Sequence, residues 1–99
     1  MIKHVVLFKF KEDICLEKKE KLMREFRQDI LSLTQVMDFI QAIEVGFNIN
    51  KDETWDICLS SSFESLEKLR EYSTHPQHLA AANKLKPYLS GRSCVDYDA

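Results

Sequence analysis

Glycine and proline are scarce in this chain. Gly46, Gly91, Pro76 and Pro87 are the only examples among 99 residues. With so few, no linker, repeat or low-complexity stretch is present. Cysteine is sparse too. Cys15, Cys58 and Cys94 are odd in number and form no CxxC pair. That excludes a disulfide framework and a structural zinc site, and leaves Cys58 and Cys94 as small buried hydrophobes within strands. No charge of one sign dominates: the formal net charge is -2. Short lysine runs are balanced by glutamate, so nothing favours a nucleic-acid backbone. No apolar run approaches the roughly 20 residues of a membrane span. Lys9 and Lys11 interrupt what would be a signal-peptide core, which makes the cytoplasm the default location.

What is there is ordinary for a soluble protein, at 44% hydrophobic and 30% charged residues. A chain of this length makes one domain over 1–99. Residues 2–10 read as a strand whose two faces are both apolar: His4, Val6, Phe8 and Phe10 on one, Val5 and Leu7 on the other. Residues 16–33 read as an amphipathic helix, with Leu22, Phe26, Ile30 and Leu33 at helical spacing and Met23 beside them. Its opposite side carries Glu17–Lys21, Glu20–Arg24 and Lys21–Glu25, a solvated charged face.

Strands follow at 38–47 and 54–63, separated by a polar turn. Ser65 caps a short helix through Tyr72, and His75-Pro76 restarts the helix as far as Tyr88, with Leu79, Ala82, Leu85 and Leu89 as its apolar stripe. Gly91 ends the helical region, and 92–97 is the last strand.

The order βαββαβ predicts an α+β, ferredoxin-like fold: a four-stranded antiparallel sheet with helices on one face. The other face is expected to expose Val6, Phe8, Trp55, Ile57 and Leu59. Covering such a patch favours association by about 10 kcal/mol or more before association costs. A homodimer closing two sheets into a barrel with a lumen is the expected solution.

The segments HVVLFKFK (His4 to Lys11), SSFESLEKLREYSTHPQH (Ser61 to His78) and VDY (Val95 to Tyr97) make nearly the whole chain resemble the stress-responsive dimeric A/B barrel family. The Tyr-x-x-His-Pro-x-His run and the terminal Val-Asp-Tyr are the most distinctive pieces. The resemblance implies a dimeric α+β barrel. A plant cyclase of that family performs an intramolecular aldol condensation on a linear tetraketide thioester. Its base and acid match His78 and Tyr72, and its supporting carboxylate matches Asp96. Its other pocket positions match His4, Val6, Phe8, Leu22, Met23, Phe26 and Leu59. Phe26 and Leu89 replace a tyrosine and a tryptophan of that enzyme, so its substrate does not carry over.

Chemically, enolisation needs a base near neutrality and a donor for the developing oxyanion, which His78 and Tyr72 supply. Asp96 would orient a neighbouring imidazole. His4, a polar group in an apolar strand, contacts a ligand or pairs with Asp96. A structural reading stands beside this one: His75 and His78 as caps or bonds in the helical corner, Tyr72 as a core ring. A metal is not expected. His75 and His78 are the only histidines at helical spacing, and Pro76 opposes a shared ion. No cofactor is called for.

The functional expectation is a cyclase or isomerase acting on a small apolar or carbonyl-containing molecule. Its alternatives are a non-catalytic ligand-binding or stress-associated homodimer and, by fold analogy, a cofactor-free monooxygenase.

Overall fold

A computed structural model describes all 99 residues. Strand β1 spans Ile2–Phe10 and helix α1 spans Leu16–Leu31. Strands β2 (Ala42–Phe47) and β3 (Ile57–Phe63) follow, then helices α2 (Leu66–Thr74) and α3 (Pro76–Leu85), and strand β4 (Leu89–Asp98). The strands form one antiparallel sheet in the order β2-β3-β1-β4. β1 and β3 therefore lie in the middle, and β2 and β4 are edges. No helix is long and apolar enough to cross a membrane.

Local chemistry explains the boundaries. The Ser65 side chain accepts the Lys68 N–H at 3.2 Å and starts α2. His75 is the hinge between the two later helices. It is extended, at φ -62° and ψ 134°, as a residue before proline must be. Its Nδ1 accepts the Gln77 N–H at 3.1 Å, and Pro76 sits at the first helical position. α1 packs Leu22, Phe26 and Ile30 inward as the spacing requires, and its charged face stays exposed.

The expected strands at 38–47 and 54–63 are shortened at their starts to Ala42 and Ile57. Gly91 does not end a helix. It lies inside β4 beneath the Trp55 ring, where an added Cβ would stand 3.4 Å from the indole. The stripe on α3 also differs. Ala81 and Leu85 are buried while Leu79 is exposed.

The largest correction concerns which sheet face the helices cover. Val6, Phe8, Ile57 and Leu59 are buried in the core beneath the helices. Of the residues expected on the open face, only Trp55 is there, against Gly91 and Lys9. The pairings place Val5, Leu7, Cys58, Ser60, Ser62, Ser93 and Val95 on the helix-free side. When both parities of a strand are apolar, period-two alternation does not say which faces inward. The bulkier set won here: β1 turns His4, Val6, Phe8 and Phe10 toward the aromatic and aliphatic stripe of α1. The open face is less apolar than expected, because β3 contributes serines to it.

Candidate functional site

The switch of faces places the main cavity inside one chain, between the sheet and the helices, not in a lumen between two sheets. Its volume is about 520 Å³, within the range typical of ligand sites. β1 and β3 supply His4, Val6, Phe8 and Leu59 to its wall, and α1 supplies Phe26. α3 supplies His78, Leu79, Ala82 and Asn83, and the segment after it contributes Lys86, Leu89, Ser90, Gly91 and Arg92. Of the positions suggested by resemblance, His4, Val6, Phe8, Phe26, Leu59 and His78 are on this wall. Leu22 and Met23 are not. Leu22 borders a separate crevice with Ala81 and Leu85, and Met23 is half-buried against the core.

At one end of the cavity an aromatic stack joins the candidate residues. The Tyr72 ring lies 4.5 Å from His78, 5.0 Å from Phe63 and, edge-on, 6.2 Å from His4. The kink at His75-Pro76 brings this about by letting α2 deliver Tyr72 and α3 deliver His78 to the same end. His4 lies opposite Asp96 in the β1–β4 pairing, and its Nδ1 meets the Asp96 carboxylate at 2.5 Å. The strands alone thus create the imidazole–carboxylate pair.

The hydrogen bonds set the state of each ring. His78 Nδ1 lies 3.0 Å from the Ser73 carbonyl oxygen. A carbonyl only accepts, so Nδ1 carries the proton and Nε2 keeps the lone pair. Burial pushes the His78 pKa below 6.5. The Ser73 bond opposes that shift, and the charges of His4, Arg92 and His75 add to it. His78 is therefore a neutral imidazole at pH 7.

Tyr72 is completely buried, and burial raises its pKa well above that of an ordinary phenol. It stays protonated. Its hydroxyl has no partner and does not form part of the cavity wall. Ser61, opposite His4 on β3, has a second orphaned hydroxyl. Two unpartnered buried hydroxyls close to one histidine are uncommon in a folded protein.

Sequence reasoning missed several residues here. Cys94 is exposed, not buried. It shares a face with His4 and Asp96, with its Sγ 3.6 Å and 3.7 Å from them. These three residues offer ligand atoms within 4.8 Å of one another, a set with the softness to hold a divalent transition metal. Partial burial and the Asp96 carboxylate raise the Cys94 pKa while Arg92 opposes them, so the group is a thiol rather than a ready nucleophile. Arg92, Lys86 and Asn83 at the cavity rim were also missed. Alternation from Asp96 would have found Cys94 and Arg92, which lie two and four residues earlier on the same face of β4.

Comparison with known proteins agrees with the fold. The family model described as the stress responsive A/B barrel domain matches residues 2–99. Olivetolic acid cyclase from Cannabis sativa is 25% identical, over 97% of this chain and 94% of the cyclase. The stress-response A/B barrel domain-containing protein HS1 from Arabidopsis thaliana is 28% identical, over 97% of this chain and 87% of its own length. A dimeric protein of unknown function and ferredoxin-like fold from Bacteroides fragilis is 42% identical. It superposes with a TM-score of 0.96 over 99% of this chain and 95% of that one.

Proposed function

The chain belongs to the stress responsive A/B barrel domain family, and from that premise we propose a homodimer whose protomers each hold an acid–base site of the cyclase or isomerase type. The observation that carries the chemistry is His78. It is a cavity-lining imidazole, protonated on Nδ1 by its bond to Ser73, and it presents Nε2 unprotonated at neutral pH. Such a group removes a proton next to a substrate carbonyl. The oxyanion that forms needs a donor. Tyr72 is a phenol held in its protonated state, with a hydroxyl committed to no other group. His4, fixed by Asp96, stands edge-on beside it. The apolar wall of Val6, Phe8, Phe26 and Leu59 suits a small carbonyl compound with an apolar body.

Two features support the dimer. The 42%-identical Bacteroides fragilis protein is described as dimeric. In this chain, β4 is a ten-residue edge strand exposed from Arg92 to Asp98, next to the uncovered Val5, Leu7 and Val95. Long bare edges of that kind are normally covered.

The competing reading is a dimer that binds a small apolar ligand without turning it over. The position of the Tyr72 hydroxyl, off the cavity wall, favours it. Deuterium incorporation next to the carbonyl of an aryl ketone, followed by NMR in heavy water, separates the two. The acid–base reading expects exchange above the buffer rate that disappears in His78→Ala with the fold intact. Exchange at the buffer rate, or unchanged in that variant, would leave only the binding reading.

A further inference from the structure

The charged side chains on the cavity wall are of one sign. Lys86 and Arg92 line it and no carboxylate does. The chain contains more acidic than basic residues, 16 against 14, so a carboxylate-free wall is not a consequence of composition. Neither cation is neutralised within the protein. The four ion pairs are Met1–Asp98, His4–Asp96, Lys68–Glu71 and Lys84–Asp29, and none includes Lys86 or Arg92. Asp96 is the nearest acidic residue on that face of β4, and it is engaged with His4. Asn83 adds an uncharged amide to the same rim, and Ser90 a hydroxyl. The apolar part of the same wall includes Phe8, Phe26 and Leu59.

Arg92 has a defined place in this arrangement. It pairs with Phe8 in the β1–β4 register, so its stem rises from the sheet on the side that faces the cavity. Its charge reaches His78, whose affinity for a proton it lowers. A guanidinium with five donors and no carboxylate partner suits a planar anion held by two hydrogen bonds. Lys86 brings a mobile point charge from the end of α3.

We propose that the cavity selects small apolar molecules bearing a single anionic group, a carboxylate in the simplest case, with Arg92 and Lys86 holding the anion and the apolar body lying against Phe8, Phe26 and Leu59. This deepens the acid–base reading by naming its substrate class. It rests on that reading only for the identity of the reacting end. Arg92 and Lys86 are binding residues, and the anion they hold is not the reacting group.

The test uses two dyes that share an apolar ring system. Anilinonaphthalene sulfonate carries an anion and N-phenylnaphthylamine does not. Both report binding by their own fluorescence. The sulfonate dye is expected to bind the wild-type protein more tightly than the neutral one. Arg92→Gln should weaken the sulfonate dye by about tenfold, the scale of a charge-assisted hydrogen bond, and leave the neutral dye within about twofold. Arg92→Gln with Lys86→Gln should abolish the preference. Lys51→Gln, which removes a charge in the remote β2–β3 turn, should change neither dye. Ala82→Phe, which fills the cavity, should displace both, with circular dichroism reporting the fold.

Equal affinity for the two dyes would overturn the proposal, as would a preference that survives the double substitution. Sulfonate binding that persists in Ala82→Phe would overturn it too, because the preference would then arise outside the cavity. The acid–base reading is judged separately by deuterium exchange in His78→Ala, so either can fail while the other stands.

Discussion

Replacing Tyr72 with phenylalanine should make the protein more stable and less active. The side chain is completely buried, and its hydroxyl has no hydrogen-bond partner. Leaving a buried donor unpaired costs about 1–3 kcal/mol of desolvation. The phenylalanine ring keeps the packing against Phe63 and His78, at 5.0 Å and 4.5 Å, so no cavity offsets the gain. Taking the low end, because side chains relax around an orphaned group, the variant should gain about 1 kcal/mol. In a domain of this size that raises Tm by about 4–8 °C. Urea unfolding measures it as a higher midpoint at unchanged slope, with both proteins at the same protomer concentration so that the proposed association contributes equally. In the ketone exchange assay the acid–base reading expects the same variant to lose about a hundredfold in rate, the effect of removing one oxyanion donor, whereas the binding reading, which the hydroxyl's place off the cavity wall favours, expects no change. A loss of about 1 kcal/mol or more would refute the stability reasoning, since the hydroxyl would then hold a bond in solution. Unchanged exchange would remove Tyr72 from the chemistry.

Three further outcomes are expected. His78 has a folded pKa below its ordinary 6.5 because it is buried. Above pH 6.5 the ring is neutral whether folded or unfolded and contributes nothing; below it the unfolded chain takes up a proton first, so stability falls with pH until the lowered folded value is passed. Urea midpoints across that window should show a shallower pH dependence in His78→Gln than in the wild type, and parallel curves would contradict the assignment. His75→Ala removes the Nδ1 that accepts the Gln77 N–H, and should cost about 0.5–2 kcal/mol in thermal or urea unfolding. Leu7→Glu places a charge on the helix-free face and should leave a folded particle of 11.6 kDa in sedimentation; a dimer of undiminished affinity would mean that the copies meet elsewhere.

Most of the fold could be read from the sequence because several local signals agreed. Leu22, Phe26, Ile30 and Leu33 at helical spacing, Ser65 before an apolar stripe and Pro76 at a helix start are each decided within a few residues of themselves. The element order then left little choice of sheet. Gly91 shows where local reasoning stopped. A glycine after an apolar helical stripe suggests a C-terminal cap, yet the glycine serves Trp55, which packs over it from a segment 36 residues away in sequence. No local pattern contains that contact.

The candidate site was legible to the extent that strand alternation was followed through. The sequence offers His4 and Asp96 as a pair, and antiparallel register makes them direct neighbours. Carrying the same alternation two and four residues back from Asp96 puts Cys94 and Arg92 on that face, which adds a metal-compatible thiol and an unpaired guanidinium to the histidine end. Residue type obscured both, because a cysteine in a strand suggests burial and an arginine near a chain end suggests solvent. The face assigned to Val6 and Phe8 failed for a different reason. β1 is apolar on both sides, so its periodicity carries no sign, and the sign comes from packing against a helix far along the chain. That sign decides the geometry of the candidate site. It places His78 and Arg92 on a cavity lined by one chain and leaves the serine-bearing face of β3 free of helices, as the face proposed to meet a second copy. Substitutions that weaken the dimer and substitutions that empty the cavity should therefore be separable, which a site in a shared lumen would not allow.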